Sequence, residues 1–226
     1  MNMKKSYEQF MKEGVYDPNI FKAVFMAGGP GSGKSFIANK TTGGLGLKMI
    51  NSDAPFERFL KKEGLSLKMP ESETEKRDVE RARAKKVTAS KKFHAVQGRL
   101  GILIDGTGHV YDKVAKQAQM LQQLGYETSM VFVNTSLEVA LHRNEQRARS
   151  VQPKLVKKSW QDVQNNMGKF QNFFGPGNFF IVDNNGLEED MLEISTKHIR
   201  RAISSPVKND IASAWIANEL KKKDRS

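Results

Sequence analysis

The 226-residue chain contains no cysteine. That excludes a disulfide scaffold, a thiolate metal site and a cysteine nucleophile, and it suits a reducing compartment. No apolar run approaches the roughly 20 residues needed to span a bilayer. The opening MNMKKSYEQFMKEG lacks the apolar stretch of a secretory signal, so a cytoplasmic protein without a membrane partner is expected. There are only seven prolines and no low-complexity linker or internal repeat, which argues for one domain over residues 1–226. The four histidines are scattered without metal-ligand spacing. What the chain does have is charge: a formal net +12 and a pI near 9.8. Such a balance suits a polyanionic partner, or serves only for solubility.

Short apolar runs alternate with helical patterns. FKAVFMA (21–27), the run ending at Asp53 (43–53), LGILIDGTG (100–108), ETSMVFVNT (127–135) and NFFIVDNNG (178–186) read as five strands. Continuous apolar strands between helices imply a parallel sheet covered on both faces. The fold class is therefore α/β, a three-layer sandwich. Helices are expected after residue 34, within a charged stretch at 56–98, at 111–125, at 136–150 with Ser136 as N-cap, at 158–175 and over 188–222.

The segment AVFMAGGPGSGKSFIA (23–38) concentrates glycine between a strand and a helix. Gly28, Gly33, Lys34 and Ser35 fit the G-x-x-x-x-G-K-[ST] phosphate loop in the context that motif requires. The backbone of Gly28, Gly29, Pro30, Gly31, Ser32 and Gly33 would surround phosphate oxygens, every residue but Pro30 offering an N–H, aided by the helix N-terminus. Lys34 would reach the β/γ-phosphates and Ser35 would offer a hydroxyl to Mg²⁺. ATP and Mg²⁺ are thus the expected cofactors. The motif alone does not separate a motor, a switch and a kinase.

Ligands of open α/β sheets sit beyond the carboxyl ends of the strands. Asp53 and Asp105 fall there. Asp105 reads as the metal-side carboxylate and Asp53 as the base facing an acceptor hydroxyl, unless each merely caps a helix. In LHRNEQRARS, Arg143 and Arg147 lie four apart, as on one helical face, with Arg149 beyond. Guanidinium groups suit the charge that phosphoryl transfer spreads over oxygen. The aromatic residues Trp160, Phe170, Phe173 and Phe174 read as core.

In their order, GGPGSGKS, NSD, IDGT, RNEQR and FFIVDNN, these motifs resemble the zeta-toxin-like and polynucleotide-kinase-like P-loop kinases, many of them encoded by bacteriophages. The resemblance spans about residues 20–186. It implies a parallel five-stranded sheet in the order 2-3-1-4-5, Asp53 as general base, and Arg143 and Arg147 flanking the transferred phosphate in a lid at about 143–157. It further implies Arg58 and Thr107 at the acceptor, Asn184 near the adenine, an acceptor-side helical insertion at about 56–98 and a C-terminal helical segment at about 188–226. A phage protein would work in the host cytoplasm. The expectation is an ATP/Mg-dependent phosphotransferase. Its favoured acceptor is a polynucleotide 5′-end or nucleotide. A nucleotide sugar or other small metabolite is the alternative, as is a non-catalytic ATP-binding interaction protein.

Overall fold

The computed structural model describes residues 14–42, 45–147, 149–186 and 188–223. Five strands form one parallel sheet: β1 (Lys22–Ala27), β2 (Lys48–Ile50), β3 (Ile102–Asp105), β4 (Glu127–Asn134) and β5 (Phe179–Asp183), in the order β2-β3-β1-β4-β5. The expected fold and strand order are both present. β1 is central and wholly buried, pairing Ala23 with Ile102 on one side and with Thr128 on the other. Its side chains alternate between two cores, as strand pleating requires. Ala23, Phe25 and Ala27 enter one cluster, while Val24 and Met26 enter the other. The buried Lys22 at its start is tolerated because it meets Glu127 and donates to Ser205 Oγ at 3.1 Å.

Eight α-helices occur among the described residues: α1 (Lys34–Thr42), α2 (Asp53–Lys62), α3 (Thr74–Gln97), α4 (Tyr111–Gln123), α5 (Leu137–Glu145), α6 (Pro153–Phe174), α7 (Glu188–Ser204) and α8 (Asp210–Lys223). α4, α6 and α8 cover one face of the sheet, where Phe21, Phe25, Tyr126, Phe132 and Phe170 pack. α1 and α7 cover the other through Ile37 and Ile199. A third, smaller cluster of Phe56, Phe59, Leu60 and Ala84 joins α2 to α3 beyond the sheet edge. No described helix is long and apolar enough to cross a membrane.

Several boundaries differ from expectation. The second strand is only three residues long, because Asn51 and Ser52 already turn toward α2. The stretch 56–98 is two helices, separated by a 3₁₀ turn at Glu71–Glu73 that follows Pro70. α6 starts at Pro153, whose missing N–H is harmless in a first turn. Residues 188–222 are likewise two helices, broken around Pro206.

The most consequential difference concerns residues 136–150. Ser136 does cap α5, accepting from the Val139 amide at 3.2 Å. The helix stops at Glu145 rather than near Ser150. The Asn144 side chain closes the following loop, donating to Val151 O at 2.7 Å and accepting from Val151 N at 3.0 Å. Arg143 and Arg147 therefore do not share one helical face. Arg143 is on α5, and Arg147 lies in the loop with Arg149.

Candidate active site

The phosphate loop joins β1 to α1. Gly31 and Gly33 have φ of +80° and +86°, a region that costs a residue with a Cβ about 1–2 kcal/mol. Space forbids a side chain as well. A Cβ on Gly31 would lie 2.2 Å from Ala140 O of α5, and one on Gly33 would lie 2.3 Å from Asn184 Nδ2. The loop is thus clamped by α5 and by the end of β5. Asn184 Nδ2 donates to Ser32 O at 2.6 Å, and Thr135 Oγ1 donates to the same carbonyl at 3.4 Å. Trp160 Nε1 in turn holds Thr135 O at 2.7 Å, and the indole lies against Gly29. The Gly28 amide donates to Thr107 O at 3.0 Å.

Inside this cradle the Ser32 hydroxyl is buried without a hydrogen-bond partner. A buried hydroxyl left alone costs about 1–3 kcal/mol, so the loop fits an absent acceptor such as a phosphate oxygen. Lys34 is 8% exposed and folds back onto Gly29 O at 3.2 Å. Burial holds its ammonium below the ordinary lysine range; Asp105 and Asp53 oppose that shift, and Arg147 adds to it.

Asp105 closes β3, as the sequence suggests. Its Oδ2 accepts from Ser35 Oγ at 3.3 Å and from Asn51 Nδ2 at 2.6 Å. Burial raises its proton affinity, and Asp53 adds to the effect, while Lys34 opposes it. A hydroxyl and a carboxylate beside a phosphate cradle match the donor set that Mg²⁺ takes in such loops, where phosphates and water complete the shell. No group of three or more metal-binding side chains occurs among the described residues.

Asp53 is the first residue of α2, three positions past β2. Asn51 Oδ1 fixes this corner by accepting from the Asp53 amide at 2.5 Å. The carboxylate is held by two arginines. Arg81 Nη1 lies 2.9 Å from Oδ1 and Arg149 Nη2 lies 3.3 Å from Oδ2. Arg149 also reaches Glu57 Oε1 at 2.9 Å. Burial alone would raise the proton affinity of Asp53, but Arg149, Arg81 and Lys34 together bring it below the ordinary aspartate range. The Phe56 ring supports both guanidinium groups, 4.2 Å from Arg81 and 6.0 Å from Arg149.

The remaining candidates fall as follows. Arg143 Nη1 donates to Asn184 O at 3.0 Å, bracing the β5 end. Arg147 is exposed yet within electrostatic reach of Asp53, Glu57 and Asp105. Thr107 follows β3, its hydroxyl paired with His109. Asn184 turns its amide nitrogen onto the loop, leaving its amide oxygen as the side-chain atom able to meet an adenine. Arg58 points away from Asp53 and lies over Phe59, 5.4 Å from the ring centroid. Five residues along a helix is 500°, about 140° round from Asp53, whereas Phe56 at i+3 and Glu57 at i+4 share the Asp53 face. Arg81 and Arg149 stand where that arginine was expected. No spacing rule pairs Asp53 with Arg81 across 28 residues, and Asn51 carries no motif signal beyond its place in NSD.

The loop, the sheet order and the two strand-end carboxylates together define the P-loop kinase class of phosphotransferase fold. Residues 12–188 match the zeta toxin family, and the chain belongs to it. No curated protein matches the chain. Three solved structures show the shared fold. A suspected kinase from Chloroflexus aurantiacus is 15% identical with a TM-score of 0.56, covering 80% of this chain and 97% of its own. A gluconokinase from Sinorhizobium meliloti is 14% identical with a TM-score of 0.50, covering 82% and 95%. A structure from the PezAT chromosomal toxin-antitoxin system of Streptococcus pneumoniae is 15% identical with a TM-score of 0.50, covering 89% and 96%.

Proposed function

We propose that the protein transfers the γ-phosphoryl of ATP to a hydroxyl acceptor that carries phosphate of its own. The observation that carries this reading is the meeting of Asp53 with Arg81 and Arg149 within electrostatic reach of Lys34. In this reading Gly28 to Ser35 hold the triphosphate, and the free Ser32 hydroxyl finds its partner there. Ser35 and Asp105 would hold Mg²⁺, which when bound supplies charge neutralisation across the β- and γ-oxygens.

Asp53 accepts the hydrogen bond of the attacking hydroxyl and aims its oxygen. A carboxylate held below its ordinary range is a weak base but is always ionised. In a loose phosphoryl transfer little proton transfer precedes bond breaking, so orientation is the larger contribution. Lys34, Arg147 and Arg143 meet the charge on the moving group. The expected roles of Arg58 and Thr107 at the acceptor pass in large part to Arg81 and Arg149, which face Asp53.

The favoured acceptor is a polynucleotide 5′-hydroxyl or a nucleotide, on the strength of the +12 charge. The alternative that the zeta-toxin resemblance implies, a nucleotide sugar or other small metabolite, is the second acceptor class, and residues 12–188 matching that family support it. Label transfer from γ-labelled ATP to oligonucleotides, nucleotides and nucleotide sugars, run in parallel, separates the two. Label on none of them, with ATP bound, contradicts both and leaves a nucleotide-binding interaction protein. The 1–226 single-domain organisation, with 56–98 on the acceptor side and 143–157 as a lid, is part of the same proposal, as is a cytoplasmic site of action, that of the host if the chain is phage-encoded.

A further inference from the structure

Between residues 81 and 123 the chain carries nine lysines and arginines against two aspartates, Asp105 and Asp112, so this interval holds seven of the twelve net positive charges. Asp105 is engaged by Ser35 and Asn51 in the cleft. Eight of the nine lie on α3, from Arg81 onward, and on the first two turns of α4, and both helices pack on one core cluster through Ala95 and Ala118. Arg81, Lys85 and Lys92 stand at i, i+4 and i+11 and share one edge of α3. That edge begins at Asp53, to which Arg81 is bonded. Thr88, between them, has its hydroxyl 2.9 Å from Ala84 O within α3 and 3.3 Å from Asn51 O, which places this part of α3 beside the strand end next to the base.

Across the groove stands Lys113, on the first turn of α4, near Lys92. Two ammonium groups facing each other repel, and burial together with that repulsion holds Lys92 below the ordinary lysine range. Lys85, Lys92 and Lys113 make no ion pair with a carboxylate among the described residues. Asp112 lies beside Lys113, exposed at the helix N-terminus where its charge is favourable. Beyond Tyr111 the row continues with Lys169, whose ammonium sits 5.8 Å from the ring centroid. Next to Lys92 in sequence the Phe93 ring is 57% exposed, edge-on to His94.

We propose that the groove between α3 and α4 is a track for the phosphodiester backbone of a single-stranded nucleic acid, with Lys85, Lys92 and Lys113 meeting phosphates inward from the hydroxyl presented to Asp53. The proposal rests on the phosphotransferase reading for the chemistry at Asp53, but the track is a binding surface in its own right. Unpartnered cations in line, leading to an acceptor base, are what successive phosphates need. Arg81 to Lys92 spans ~16 Å of helix axis at 1.5 Å per residue. That is room for about three to five nucleotides at ~3.4 Å per stacked step. The exposed Phe93 offers a face to an unpaired base, which favours a single strand over a duplex.

The test uses the full chain, its Lys92→Gln/Lys113→Gln double variant and the charge-keeping Lys92→Arg/Lys113→Arg variant. The probes are labelled single-stranded DNA and RNA of about twelve nucleotides with 5′-hydroxyl ends, and polyglutamate as a polyanion without phosphate. Dissociation constants are measured over a series of salt concentrations. Removing two phosphate contacts should lower the log–log salt slope by about 1.4 and weaken strand binding roughly 25-fold at 0.1 M salt. The arginine variant should bind as the parent does. Label transfer should show a raised KM for the oligonucleotide and an unchanged KM for a mononucleotide acceptor.

Unchanged strand binding in the glutamine variant overturns the track, whether or not the parent is a kinase. Parallel losses for polyglutamate also overturn it, because the surface would then attract any polyanion. Lost strand binding in a protein that phosphorylates no hydroxyl supports the track and overturns only the reading of Asp53.

Discussion

Gly33→Ala isolates how the β5 end builds the phosphate loop. At φ +86° an alanine carries about 1–2 kcal/mol of backbone strain. Its Cβ would stand 2.3 Å from Asn184 Nδ2, so the amide must leave. That breaks the 2.6 Å bond to Ser32 O, a loss of about 1–3 kcal/mol, which Thr135 at 3.4 Å offsets only in part. The sum is about 2–5 kcal/mol, or roughly 5–15 °C in melting temperature for a chain of this size. Asn184→Ala alone should lose only the hydrogen-bond share. The double variant should lose little more than Gly33→Ala, because the bond can be broken only once. The expected non-additivity is about 1–3 kcal/mol, read from urea unfolding of the three variants. Additive losses would refute the claim that the amide of Asn184 and the Gly33 backbone share one constraint.

Further outcomes follow from the electrostatics of the cleft. The folded-state proton affinity of Asp105 is raised, so its ionised form opposes folding above the ordinary carboxylate range; Asp105→Asn should raise the melting temperature at pH 7, lose that gain as pH falls toward the carboxylate range, and abolish Mg-dependent turnover. Asp53 has the opposite sign, its folded-state value being depressed, so the acid limb of kcat/KM should fall below the ordinary aspartate range, and any stability it lends is lost as pH drops through that limb. Arg149→Ala and Arg81→Ala should each move the limb upward, since the Arg149 charge and the hydrogen bond and charge of Arg81 all favour the ionised carboxylate. Trp160→Phe keeps the packing against Gly29 but removes the donor to Thr135 O, and should weaken ATP binding severalfold with little change in acceptor KM, measured by titration of each ligand.

Sequence was most informative where one local rule decides the structure. The glycine corner needs positive φ at Gly31 and Gly33, and the short apolar strands need cover on both faces. Both reasons act within a few residues and were legible without coordinates. Ser136 was likewise readable as a cap, because a cap is local. The end of α5 was not, since it is set by Asn144 reaching ahead to Val151, a side-chain clamp that leaves no periodic trace. The same holds for the partners of Asp53. Arg58 was the natural candidate by proximity in sequence, yet helix geometry turns it onto Phe59. Arg81 comes from α3, and Arg149 from the loop past α5, and only the packing of α2 on α3 brings the first of them near. The charge was countable from the sequence, but its gathering on one side of the molecule depends on α3 and α4 packing on the same core cluster.

The central claim is that a triphosphate held around Lys34 gives its terminal group to a hydroxyl aimed by Asp53. It is tested most directly by comparing the parent with Asp53→Asn, measuring in each both ATP affinity and label transfer from γ-labelled ATP to a 5′-hydroxyl oligonucleotide and to a nucleotide sugar. The claim predicts near-equal ATP binding, and transfer to one of these acceptors that falls about 10²–10⁴-fold in the variant. Undiminished transfer in Asp53→Asn, or ATP binding with no transfer by the parent, would contradict it.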